Sequence, residues 1–85
     1  MSKVIIYTKG YCPYCHRAKA LLTKKNVDFK EIDIEVQPEL RSEMITLAEG
    51  RSTVPQIFIN NTHVGGCDDL FALEAKNKLD SLLAN

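Results

Sequence analysis

Two cysteines held two residues apart constrain this chain more than any other feature. Val4-Ile5-Ile6-Tyr7 is followed by Cys12-Pro13-Tyr14-Cys15 and then by a helical pattern through Ala18, Leu21 and Leu22. Residues three apart on a helix have Cβ atoms roughly 5–6 Å from each other, close enough to bridge after small adjustment. The pair can therefore open and close as a disulfide. Pro13 suits the first helical position, because its φ is already helical and its missing N–H would have had no intrahelical partner. Cys12 then falls at the helix N-terminus, where unpaired N–H groups and the positive end of the dipole favour an anion. A thiolate is such an anion. Cys12 is the expected attacking thiol, and Cys15, one turn further in, the sheltered resolving thiol.

The size of the effect indicates its use. A free thiol with pKa about 8.5 is roughly 3% ionised at pH 7, and one titrating near 5 carries about 30 times more thiolate. Nucleophilicity falls with a Brønsted slope of about 0.45, which over about 3.5 units loses a factor of about 40. Attack gains almost nothing. Departure gains, because a low-pKa thiolate leaves faster when a second thiol strikes its disulfide partner. The arrangement favours turnover of a mixed disulfide.

Eighty-five residues make one domain, spanning 1–85, and at this size only about 60–65% of the unfolded surface can be buried. Lysine plus arginine equals aspartate plus glutamate, 11 against 11, so no global field recruits nucleic acid or an anionic membrane. The apolar run after Met1-Ser2-Lys3 is shorter than a signal-peptide core or a membrane span, and a cytoplasmic protein is expected. Three cysteines are too few for a disulfide scaffold. In a reducing compartment a Cys-X-X-Cys pair reads as catalytic or metal-binding.

In chain order, Lys3 to Thr8 is β-branched and aromatic enough for a buried strand, and Gly10 gives the turn out of it. A helix runs from Pro13 to about Lys25, with Asn26 in its closing turn. Asp28 to Ile34 reads as a second strand, and strand, helix and strand suggest a right-handed parallel βαβ unit. Pro38 opens a second helix carrying Leu40, Met44, Leu47 and Ala48, and Gly50 is placed to end it. Gln56–Ile59 and Thr62–Val64 flank an Asn60-Asn61 turn and read as a hairpin. Gly65-Gly66 breaks the strand before a helix that starts at Cys67 or Asp68 and carries Leu70 and Leu73. Leu79, Leu82 and Leu83 mark a final short helix. The fold class is α/β, a four-stranded mixed sheet flanked by helices in the order βαβ, α, ββ, α.

Two other chemistries fit parts of the pattern. Cys12, Cys15, His63 and Cys67 form a Cys₃His set of zinc-ligand types, although a strong strand pattern fills the long gap between the pairs. Cys12 to His16 matches the Cys-X-X-Cys-His haem attachment pattern, but a strand-to-helix turn leaves little room for a macrocycle. On bland readings Lys9 is a solvated lysine before a turn, Tyr14 a surface aromatic, His16 a half-exposed helix residue, and Cys67 a small buried helix-start residue open to slow oxidation.

Cys12-Pro13-Tyr14-Cys15 after an N-terminal strand, Thr53-Val54-Pro55 before the hairpin and Gly65-Gly66-Cys67-Asp68-Asp69 before the third helix together resemble a dithiol glutaredoxin of the small bacterial type. The resemblance covers essentially the whole chain. It implies a thioredoxin-like fold, a monomer, and reduction of protein disulfides and glutathione mixed disulfides by Cys12 and Cys15, with glutathione as reducing co-substrate and no bound cofactor. It also implies a glutathione site. Lys9 and Arg41 hold the glycine carboxylate and Tyr14 lines the groove. Val54 offers backbone N–H and C=O to the cysteinyl portion, with Thr53 and Pro55 also in the site and Pro55 after a cis peptide bond. Cys67 and Asp68 receive the γ-glutamyl end, with Gly66 beside them in the site. Ribonucleotide reductase is a family-level protein substrate. The competing readings are a thioredoxin-like reductase recharged by a flavoprotein, a zinc module, or an iron–sulfur carrier in which two chains share a cluster, a reading Pro13 disfavours by family analogy.

Overall fold

The computed structural model describes residues 2–84. Its elements are β1 Val4–Thr8, α1 Pro13–Lys24, β2 Lys30–Asp33, α2 Leu40–Leu47, β3 Gln56–Ile59, β4 Thr62–Gly65, α3 Cys67–Ala75 and α4 Leu79–Ala84. β1 pairs parallel with β2 and antiparallel with β3, and β3 pairs antiparallel with β4, giving the order β2-β1-β3-β4. Parallel neighbours need a crossover, and α1 supplies it.

The sheet is covered on both faces, which explains why its central strands read as continuous apolar runs rather than alternations. Val4 and Ile6 of β1 and Ile57 and Ile59 of β3 pack with Ala18, Leu21, Leu22, Leu70, Leu79 and Leu83. The intervening Tyr7 and Phe58 face the other way, against Ile32, Ile34, Met44 and Ala48. Leu22, Met44, Leu70 and Leu79 are completely buried, and each contributes about 1.5–3 kcal/mol by leaving water. Cys12 and the Thr53–Pro55 loop thus stand at ends of elements held from two sides.

Several boundaries differ from the sequence expectation. Pro38 opens a tight turn and not α2 itself. Leu40 N–H reaches Gln37 O at 3.0 Å and Arg41 N–H reaches Pro38 O at 3.1 Å, a three-residue spacing that precedes the helix proper. At its far end Glu49, and not Gly50, takes the left-handed position first, with φ 59°. Glu49 N–H bonds Thr46 O and Gly50 N–H bonds Ile45 O, the two bonds of a Schellman end. Asn26 and Asn77 close α1 and α3 in the same way. β2 is shorter than expected at both ends, and at its C-terminal end the Asp33 carboxylate accepts from the Glu35 and Val36 N–H groups at 2.8 and 3.2 Å, turning the chain out of the sheet. The hairpin turn forms as expected, with Asn60 and Asn61 both at positive φ, as a type I′ turn requires.

Candidate active site

β1 delivers the chain through Lys9, Gly10 and Tyr11 to Cys12, and Glu35 pins that loop by accepting from Gly10 N–H at 2.8 Å. Cys12 is the N-cap of α1, in extended conformation, and Pro13 occupies its first turn. The Cys15 N–H donates to Cys12 Sγ at 3.1 Å, so the sulfur does the work that a Ser or Asp oxygen performs at an ordinary N-cap. The two cysteines are joined as a disulfide with Cα atoms 5.2 Å apart. Cys12 is 7% exposed and Cys15 1%, so both cysteines are buried, Cys15 the more completely.

Beside the disulfide lies a cavity of about 340 Å³. Val54 brings its carbonyl oxygen to 4.0 Å from Cys12 Sγ, and the Val54–Pro55 peptide bond is cis. Tyr14, Thr53, Val54, Pro55, Gly66, Cys67 and Asp68 line the cavity, together with Arg51 and Asp69. Lys9 and Arg41 do not line it. Lys9 is exposed on the loop before Cys12, and Arg41 is exposed in the first turn of α2.

The floor of the cavity is the N-terminus of α3. Gly66 is the N-cap, and Asp69, three residues on, reaches back to accept its N–H at 2.8 Å. The same oxygen accepts from Arg51 Nη1 at 3.0 Å. The Gly66 N–H, and then the Arg51 guanidinium, hold the Asp69 carboxyl below its ordinary range. Gly65 has φ 122°, and a β-carbon there would strike the Asp69 carboxylate and Arg51, so only glycine admits this ion pair. Burial pushes the Cys67 thiol up, with Arg17 opposing and Asp68 adding to the shift. Cys67 is a buried free cysteine in the cavity wall, and the upward shift works against spontaneous oxidation. Arg17 stands 6.0 Å from the Tyr14 ring centroid and 5.5 Å from that of Phe71, a cation–π contact that steadies Tyr14 in the cavity wall.

Arg51 and Asp69 are the cavity residues that sequence reasoning missed. Asp69 was detectable, since an acidic residue three positions after a glycine N-cap is a helix-start signal. Arg51 carries no local signal, because its partner lies 18 residues away. The four residues of the formal zinc set do not converge: among the described residues no three His, Cys, Asp or Glu side chains form a ligand group. His63 Nε2 is engaged instead with Gln56 Oε1 at 2.7 Å, and His16 is exposed on α1.

A glutaredoxin family model matches residues 4–64. Glutaredoxin 3 of Escherichia coli strain K12 is 59% identical over 83 residues, covering 98% of this chain and 99% of its own. The solution structure of a glutaredoxin from Brucella melitensis superposes with a TM-score of 0.82 at 63% identity, covering 95% of this chain and 87% of that one. A crystal structure of a buckwheat glutaredoxin–glutathione complex superposes with a TM-score of 0.88 at 27% identity, covering 98% and 77%. The mixed sheet and flanking helices are accordingly the thioredoxin-like fold. With its dithiol at the start of α1, the chain belongs to the glutaredoxin family of glutathione-dependent thiol–disulfide oxidoreductases.

Proposed function

We propose that the chain reduces both protein disulfides and glutathione mixed disulfides, in the cytoplasm and as a monomer, with Cys12 as the nucleophile and Cys15 as the resolving thiol. The observation that carries this is the Cys15 N–H donating to Cys12 Sγ, 4.0 Å from the carbonyl of Val54, which lines a cavity with backbone groups on one wall and a helix N-terminus on the floor. A hydrogen bond to a charged group is the stronger kind, so the thiolate form of Cys12 is favoured over the thiol.

On a glutathionylated protein, Cys12 attacks the glutathione sulfur. The S–S bond breaks, the protein thiolate leaves and takes a proton, and glutathione remains on Cys12. A second glutathione then strikes the first, and Cys12 departs as thiolate. On a protein disulfide Cys12 forms the mixed disulfide, Cys15 displaces the reduced product, and two glutathione molecules restore the dithiol. The buckwheat relative's complex with glutathione supports the choice of reductant. Ribonucleotide reductase remains the family-level protein substrate.

Glutathione presents two carboxylates, an amine and a thiol. Its γ-glutamyl end fits the α3 N-terminus, where the carboxylate meets N–H groups and Asp68 faces the amine. Its cysteinyl backbone pairs with Val54. Lys9 and Arg41 take the glycine carboxylate on the resemblance, although the cation lining the cavity is Arg51, already engaged with Asp69. Comparing Lys9→Gln, Arg41→Gln and Arg51→Gln tests this: the variant that loses about tenfold in affinity has lost the carboxylate contact.

Two further variants test the roles of the thiols. Cys15→Ser should keep turnover of a glutathione mixed disulfide and lose most activity on protein disulfides, and Cys12→Ser should lose both. Activity of Cys12→Ser on both substrates would refute the assignment.

A further inference from the structure

Gln56 is the largest polar side chain in the core, completely buried at the first position of β3, and the dithiol mechanism gives it nothing to do. Its carboxamide Nε2 donates to the Thr53 carbonyl at 2.9 Å and lies 3.4 Å from Thr53 Oγ1. Only the nitrogen end of an amide can serve a carbonyl, so Oε1 faces the other way, 2.7 Å from His63 Nε2. That contact requires a proton on His63 Nε2. His63 is itself fixed against the Phe58 ring, with centroids 5.0 Å apart. A chain of contacts runs from β4, through Gln56, to the loop beside Cys12.

The loop end of this chain has a geometric consequence. The Thr53–Val54 peptide is planar and trans, so its C=O and N–H point in opposite directions. Holding Thr53 O toward Gln56 turns the Val54 N–H away from the core. Among the described residues that N–H has no hydrogen-bond partner, although Val54 lines the cavity next to Cys12.

We propose that Gln56 is a positioning residue for the reaction: by holding the Thr53 carbonyl it sets the Thr53–Val54 peptide so that the Val54 N–H is offered to the main chain of the docking glutathione, with His63 fixing the sense of the Gln56 amide. This rests on the glutathione reading of the cavity. Gln56 touches neither sulfur nor substrate, so its effect falls on binding.

The test is made in a Cys15→Ser background with a peptide–glutathione mixed disulfide as substrate. Gln56→Glu keeps size and an acceptor for His63 but loses the donor to Thr53, and Gln56→Met loses both polar ends. Each should raise KM about five- to tenfold with kcat within about twofold, the pattern of lost uniform binding, and leave the alkylation rate of Cys12 unchanged. In ¹⁵N spectra, glutathionylation of the parent protein should move the Val54 amide resonance strongly, and the Gln56 variants should blunt that movement. Should neither Gln56 variant fold, His63→Phe should raise KM about threefold by freeing the amide to turn. An unchanged KM in the folded variants, or a fall in kcat alone, overturns the proposal. A Val54 amide unmoved in the parent protein refutes instead the docking of glutathione on Val54, and the two failures are told apart by the parent spectrum.

Discussion

Replacing Cys15 with serine removes the second sulfur but keeps the backbone N–H that lies 3.1 Å from Cys12 Sγ. The variant therefore isolates what the helix start alone does to the first thiol. A net hydrogen bond to a charged acceptor is worth about 1.5–3 kcal/mol, and an anion in the first helical turn gains about 0.3–1 kcal/mol more. At about 1.4 kcal/mol per factor of ten, these raise the ionisation constant of Cys12 by roughly 20- to 700-fold over a free thiol. Partial burial opposes ionisation, so the lower half of that range is expected. Alkylation rate against pH, in Cys15→Ser, should show a midpoint well on the acid side of free cysteine.

The same measurement separates two causes. A hydrogen bond at 3.1 Å is local, and raising the salt from 0.1 to 1 M, which shortens the screening length from about 10 to 3 Å, should leave the midpoint nearly fixed. A midpoint that climbs steeply with salt would assign the stabilisation to exposed cations such as Lys9 instead. A midpoint equal to that of free cysteine would refute the reasoning, since neither the N–H nor the dipole would then be acting on the sulfur. Cys12→Ser supplies the control: Cys15 is 1% exposed, and its alkylation should be far slower at every pH.

Asp69→Asn should lower stability by about 1–2 kcal/mol at neutral pH, a cap bond weakened and a half-exposed ion pair lost, seen as a fall of roughly 4–16 °C in Tm. Because the folded-state pKa of Asp69 is depressed, its contribution is present above the unfolded carboxyl value near 4 and disappears as pH falls through the lower folded value, so the wild-type and variant melting curves should converge in strong acid. Tyr7 behaves in the opposite sense. Burial and Glu43 raise its pKa, so its contribution is full below about pH 10 and is lost above it, and Tyr7→Phe should be less sensitive to alkali. Met44→Ala, at a completely buried position in the α2 face of the core, should cost about 2–5 kcal/mol in denaturant unfolding while leaving Cys12 alkylation unchanged wherever the protein is still folded.

The parts of the molecule legible from sequence are those whose cause is local. Pro13 after Cys12 announces a helix start, Asn60-Asn61 announces a turn with two positive φ angles, and the observed N-cap and type I′ hairpin follow. The start of α2 differs from the expectation because Pro38 satisfies two local rules at once, the tight turn and the helix start, and only the competition between hydrogen bonds decides. Arg51 and Gln56 were illegible for a different reason. Each carries a side chain of ordinary type, and each acquires its role from partners supplied by separate strands or loops: Arg51 from Asp69, Gln56 from both Thr53 and His63. The cysteine motif thus marks the dithiol, while the groups proposed to set the direction of the Val54 peptide depend on β3 and β4 being paired. Disrupting that pairing at the Phe58–His63 register should accordingly impair glutathione docking while sparing the reactivity of Cys12, a separation that no substitution of Cys12 or Cys15 can produce.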